Sequence, residues 1–189
     1  MKNKTESKFK EVQNELKNAL KQHSGPLLFP DTRVGMSAVV YHQILLKGKQ
    51  VYMLVDRLDE NVFNQDGWKL IEVLRKQLNQ GLHVTMVVRN TETSHKDVLS
   101  EVLELSNTLK DKFKLYKASP ELQKATLTND GGYFVFTVAD NENYRQEHYK
   151  DSKSIDPEEV YNGFRDPEHA KKLSVFFNTM IKGCEPWNV

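Results

Sequence analysis

QVYMLV at 50–55, GWKLIEVLRKQL at 67–78 and LHVTMVV at 82–88 decide the reading of this chain. The outer two runs are short, apolar and rich in β-branched residues, the signature of strands buried on both faces. The segment between them places Trp68, Ile71, Leu74 and Leu78 on one helical face and Lys69, Glu72, Arg75 and Lys76 on the other, and Asn79-Gln80-Gly81 supplies its stop. Strand, amphipathic helix, strand is a βαβ unit, whose crossover is right-handed. The unit predicts an α/β domain built on a sheet with parallel strands.

The pattern continues in both directions. Downstream, Val98, Val102, Leu103, Leu105 and Leu109 predict a helix from Ser94 or His95 to about Leu109, and FKLY (113–116) predicts a further strand. The string Ser94-His95-Lys96-Asp97 reads as a cap and solvated first turn, because contiguous residues at a helix start point in different directions. Pro120 reads as a turn, with strands expected at 124–127, 133–138 and 143–147 and a tight turn at Asn129-Asp130-Gly131-Gly132. A polar, net-acidic loop is expected from His148 to about Arg165, followed by a last helix opened by Asp166-Pro167. Upstream, an amphipathic helix over about 7–22 carries Phe9, Val12, Leu16 and Leu20 on one face and ends at His23-Ser24-Gly25-Pro26. A docked connector, LLFP, leads to a second helix over about 34–46, capped by Asp31 or Thr32.

Composition sets outer bounds. The chain has 189 residues, enough for one well-packed domain, and 27 basic against 26 acidic side chains leave no global field to attract nucleic acid or an anionic membrane. The single cysteine, Cys184, makes no internal disulfide and suggests no zinc site, so a reducing cytoplasm is the expected compartment. No stretch approaches the roughly 20 apolar residues needed to cross a bilayer, and no signal-peptide core stands at the start. Histidines show no paired spacing, and phosphate-binding glycine loops and GxSxG elbows are absent.

AVVYHQILLKGKQVYMLVDRLD (38–59), GWKLIEVLRKQLNQGLHVTMVV (67–88) and the closing strand YFVFTVAD (133–140) together resemble one half of the phospholipase D superfamily, over about residues 31–182. That resemblance implies an α/β fold, a mixed sheet flanked by helices, with an extra N-terminal amphipathic helix and connector (1–30) ahead of the domain (31–189). Its active half-site is written HxKxxxxD, the histidine attacking phosphorus and the lysine holding phosphate oxygens. Here Tyr133 and Val135 stand at the first two positions and Asp140 at the third. A phenol, protonated near neutrality with a reference pKa of about 10, and an uncharged valine cannot take those roles, and Asp140 reads as a turn cap.

The expectation is therefore a degenerate scaffold: a noncatalytic binding or assembly module, an accessory component of a bacterial multi-protein system. The resemblance implies a homodimer, since single-motif members pair their half-sites across a twofold axis. Candidate binding residues are Tyr133, Asp140, Tyr144, Arg145, Glu147 and His148, with Arg145 read as reaching an acidic ligand or, more simply, making a surface ion pair. No catalytic residue, metal or cofactor is expected. Two alternatives stand beside this reading. One is a phosphodiesterase or nuclease using Asp140, Arg145, Glu147 and His148. The other is a nucleic-acid binder working through the basic first helix, where Lys2, Lys4, Lys8, Lys10, Lys17 and Lys21 outnumber three glutamates.

Overall fold

The computed structural model describes residues 2–187 except 23, 29–35, 65–68, 152–153 and 155–156; for 2–9 and 36–37 only the backbone is described. The expected caps at Asp31 and Thr32, and the Gly67-Trp68 start of the crossover helix, lie outside these residues.

The three decisive segments form as read. Strand β2 is Gln50–Val55, helix α4 is Leu70–Asn79 and strand β3 is His83–Val88, with α1 (Lys2–Gln22), β1 (Leu27–Leu28), α2 (Met36–Lys47) and a short α3 (Glu60–Phe63) completing the first half. The second half runs α5 (Lys96–Thr108), β4 (Phe113–Lys117), α6 (Pro120–Ala125), β5 (Tyr133–Ala139), β6 (Asn143–Tyr149), β7 (Glu159–Phe164), α7 (Pro167–Met180) and β8 (Glu185–Pro186). The strands make one mixed sheet ordered β1-β7-β6-β5-β2-β3-β4-β8. Strands β2, β3 and β4 are parallel, while β5 joins β2 antiparallel and begins a meander through β6 and β7.

Alternation along the strands splits the core between the two faces of the sheet. Val84, Met86 and Val88 of β3 pack with α2, α4 and α5, whereas Val87 joins the cluster built around α7. Tyr52 stacks on Phe177 with ring centroids 5.0 Å apart, and Phe136 meets Phe177 edge-on at 6.2 Å, so α7 covers the β2-β5-β6 region. Helix α7 begins as its Asp166-Pro167 pair dictates, the Asp166 carboxylate accepting from the His169 amide. The first helix packs on its own domain: Val12, Leu16 and Leu20 are buried in the main core.

Four local expectations are corrected. Pro120 does not mark a turn but occupies the first position of α6, because Ser119 accepts from the Leu122 amide and proline needs no amide partner there. Residues 124–127 consequently form no strand, and only Leu127 bridges to Tyr133. The stretch from His148 to Arg165 is not one loop, since β7 lies within it, its asparagine and glycine having masked an alternating strand. Ser94 does not cap α5; its hydroxyl instead accepts from the Leu58 amide at 3.1 Å and pins the loop after β2.

Two glycines are required by geometry. Gly131 sits at φ +88°, turning the chain into β5. On β7, a Cβ at Gly163 would lie 2.1 Å from Cε1 of the Tyr144 ring. Gly163→Ala should therefore lose about 1–3 kcal/mol of stability in urea unfolding, while Gly25→Ala, with no atom within 4 Å of its would-be Cβ, should be near neutral. Equal midpoints for the two variants would contradict this packing.

Candidate functional site

Because β5 pairs antiparallel with β2, Tyr133 starts its strand where β2 and β3 end. The carboxyl ends of parallel strands are where open α/β sheets hold ligands, and here they bring Asp56 (after β2) and Arg89 (after β3) against Tyr133. The Arg89 guanidinium lies 4.0 Å from the centroid of the Tyr133 ring, and its Nη1 is 3.6 Å from Asp56 Oδ1. Arg57 Nε donates to Asp56 Oδ2 at 2.8 Å, and Arg57 Nη2 reaches the Ser154 carbonyl at 2.9 Å. Beside this group opens a cleft of about 340 Å³ lined by Asp56, Arg89, Asn90, Thr91, Glu92 and Gln123. Neither Asp56 nor Arg89 was singled out from the sequence, although a charged residue directly after an apolar parallel strand was the available signal.

Tyr133 is buried, and its hydroxyl makes no hydrogen bond of ordinary length. Burial and the nearby Asp56 carboxylate raise its pKa to about 12, with Arg89 and Arg57 only partly opposing them. The phenol is therefore neutral at physiological pH, with the Arg89 guanidinium stacked across its ring. Val135, two residues further along β5, is buried as well.

Along this face of the meander, Val135 pairs with Glu147 and Thr137 with Arg145, while on β7 Arg145 pairs with Asn162. Arg145 is 1% and Glu147 5% exposed, so their ion pair is buried and the expected surface pair is corrected. Arg145 Nε donates to Glu147 Oε1 at 2.5 Å and Arg145 Nη1 to Asn162 Oδ1 at 2.9 Å. Glu147 also accepts from the Tyr149 hydroxyl at 2.8 Å and the Tyr41 hydroxyl at 3.4 Å, the latter lowered onto the sheet by α2. Burial and the Glu147 carboxylate push both phenols well above their ordinary range. The sequence placed Arg145 and Glu147 on one face by alternation, but gave no sign that Tyr41 and Asn162 would close over them.

The six sequence candidates divide among three places. Tyr133, Arg145 and Glu147 share the face under α2. Tyr144 and His148 point to the α7 side, Tyr144 donating to Asp166 Oδ2 at 3.1 Å and His148 meeting the Phe134 ring at 6.0 Å. Asp140 lies at the other end of β5, about 24 Å from Tyr133 along a strand rising about 3.4 Å per residue. Its carboxylate accepts from the Lys49 and Gln50 amides at 3.0 and 2.8 Å, tying the end of β5 to the start of β2. Among the described residues no group of three or more His, Cys, Asp or Glu side chains converges as a metal site, and no helix is long and apolar enough to cross a membrane.

The raised phenols give an alkaline signature. Tyr133 ionises near pH 12 when folded against 10 when unfolded, so its contribution to stability is complete below about pH 10 and is lost as pH rises towards 12. Tyrosinate absorbance of the native protein should lag that of the urea-unfolded chain between those values, and Tyr133→Phe should reduce the lag. Coincident titration curves would contradict the buried environment.

No protein-family model matches the chain, and no curated protein matches it in sequence. Solved structures do. The phospholipase D family member Nuc from Salmonella typhimurium superposes with a TM-score of 0.59 at 10% identity, over 87% of this chain and 99% of that one. TrmBL2, an archaeal chromatin protein with a novel mode of DNA binding, gives 0.58 at 11% identity, over 98% of this chain and 63% of its own. NucT from Helicobacter pylori gives 0.51 at 11% identity, over 86% and 98%. At such identities the likeness is one of architecture, and the chain has a phospholipase D-like α/β fold.

Proposed function

We propose that this protein is a noncatalytic binding or assembly module on a phospholipase D-like scaffold, an accessory chain that pairs with a second copy and serves a larger protein assembly. The observation that carries this reading is the chemistry of the motif strand. Its histidine position holds a neutral phenol beneath Arg89, its lysine position holds buried Val135, and the neighbouring Glu147 carboxylate is already engaged by Arg145, Tyr149 and Tyr41. No group on that strand is left to attack phosphorus or to protonate a leaving oxygen. The pairing rests on the analogy with single-motif phospholipase D-like chains.

Purified protein incubated with labelled single- and double-stranded DNA and RNA, with and without divalent metal, should leave every substrate intact. Cleavage that disappears in His148→Ala would overturn the reading in favour of a divergent nuclease. Light scattering at micromolar concentration should report a dimer, and a monomer would remove the pairing.

A second reading, nucleic-acid binding without cleavage, is favoured by the likeness to a chromatin protein over 98% of this chain. Lys10, Lys17 and Lys21 are exposed on α1 and are the candidate contacts. Binding of this kind weakens steeply with salt because phosphate contacts release counterions. Lys10→Glu with Lys17→Glu should abolish it, and binding indifferent to both salt and these changes would exclude α1 as the contact surface.

A further inference from the structure

The two edges of the sheet are finished differently. On β4, Tyr116 pairs with Pro186 and Lys117 with Glu185 of β8, and the Trp187 amide donates to the Leu115 carbonyl at 2.9 Å. That edge is closed by its own chain. On β7, β1 covers only Gly163 and Phe164, through Leu28 and Leu27, and among the described residues no strand pairs with the outer side of Glu159, Val160 and Tyr161. Pro30, two residues beyond Leu28, has no amide with which to extend that pairing. An uncovered edge is a template for another strand, and proteins usually blunt it with lysine or proline. Neither stands at 159–161.

The side chains at this edge are accessible on one face. Alternation turns Glu159 and Tyr161 to the same side of the sheet as their partners His148 and Gln146, and both are exposed, Tyr161 by 44%. Leu28, opposite Gly163 on that same side, is 61% exposed, while Val160 is buried on the other. The uncovered stretch is also its own complement. Edge-to-edge antiparallel pairing about a twofold axis keeps like faces of the two sheets together, so each residue meets one an even number of positions away. With Gly163 taken by β1 and Pro157 closing the other end, the register that fits is centred on Val160. It sets Val160 against the partner's Val160 and, twice, Glu159 against the partner's Tyr161. The Tyr161 hydroxyl, which donates to Glu159 Oε2 of its own strand at 2.8 Å, then stands opposite an identical acceptor, and no like charges meet at these positions. A register centred on Tyr161 would instead set the partner's Glu159 on Gly163, which β1 already occupies.

We propose that the outer edge of β7 pairs antiparallel with the same edge of a second copy, joining two sheets into one across a twofold axis at Val160. The contact adds to the assembly reading and does not depend on the pairing of motif strands, which lies elsewhere on the sheet. A chain that makes both contacts builds species larger than a dimer. The edge contact is small beside the interfaces of stable dimers, so it acts at the high local concentration that an assembly provides.

The test is analytical ultracentrifugation of the full chain from micromolar to millimolar concentration, with a charge swap at the edge. The wild type should gain mass as concentration rises. Glu159→Lys with Tyr161→Lys sets lysine opposite lysine, and Tyr161→Glu sets glutamate opposite glutamate, so each variant alone should associate about tenfold or more weakly. Mixed in equal amounts, the two variants place lysine opposite glutamate at both positions, and association should return. Both side chains are exposed, so each variant should unfold within a few degrees of the wild type, and rescue by mixing excludes a folding defect. A dimer that persists in both variants reports pairing through the motif strands, which separates failure of that pairing from failure of this contact. The proposal is overturned if the wild type shows no concentration-dependent association, if the separate variants associate as it does, or if mixing them restores nothing.

Discussion

The buried Arg145–Glu147 pair is the constraint around which the second half of this molecule is arranged. Two charges cannot be taken out of water without partners, and the surrounding elements supply them. Asn162 from β7 and the phenols of Tyr41 and Tyr149 bring α2, β6 and β7 to fixed positions around two side chains. The ladder register follows, because a one-residue slip of β6 would turn Arg145 and Glu147 towards α7 and leave both charges among apolar side chains. The pair adds little net stability by itself; its effect is to make every other register costly.

This arrangement also fills one face of the β5-β6 pair within a phospholipase D-like fold. The face carrying Arg145 and Glu147 is covered by α2 through Tyr41, and its charges are satisfied from within. Among the described residues, cavities open at the two ends of the sheet. At one end Asp56 and Arg89 line a polar cleft beside Tyr133; at the other Gln43, Lys47, Glu142 and Arg165 are among the residues lining a smaller cavity. Asp140 lines that second cavity, and its carboxylate accepts from two backbone amides.

Much of the fold was legible because its first half obeys local rules. The strands at 50–55 and 83–88 and the helix between them announce themselves by periodicity and by a glycine stop, and Asp166-Pro167 is an unambiguous helix start. The errors fell where one residue type serves two structures. Proline at 120 signals a turn as readily as a first helical position, and only the Ser119 cap distinguishes them. Strand β7 was hidden because asparagine and glycine weaken strand propensity, yet Gly163 is needed to admit the Tyr144 ring and Asn162 to hold Arg145. The candidate site was less legible. Alternation put Arg145 and Glu147 on one face, but their burial depends on Tyr41, more than 100 residues earlier, and no local pattern encodes such a contact. The cleft residues after β2 and β3 were likewise unmarked until the sheet order placed them beside Tyr133.

A double-mutant cycle on the pair measures the central claim most directly. With urea unfolding as the readout, Arg145→Met and Glu147→Leu should each lose about 3–5 kcal/mol, because each strands one charge in the interior. The double variant should recover most of that loss, giving a coupling energy of several kcal/mol between the two sites. Additive losses, or single variants within about 0.5 kcal/mol of the parent as for ordinary surface changes, would show that the two side chains are not a buried, coupled pair.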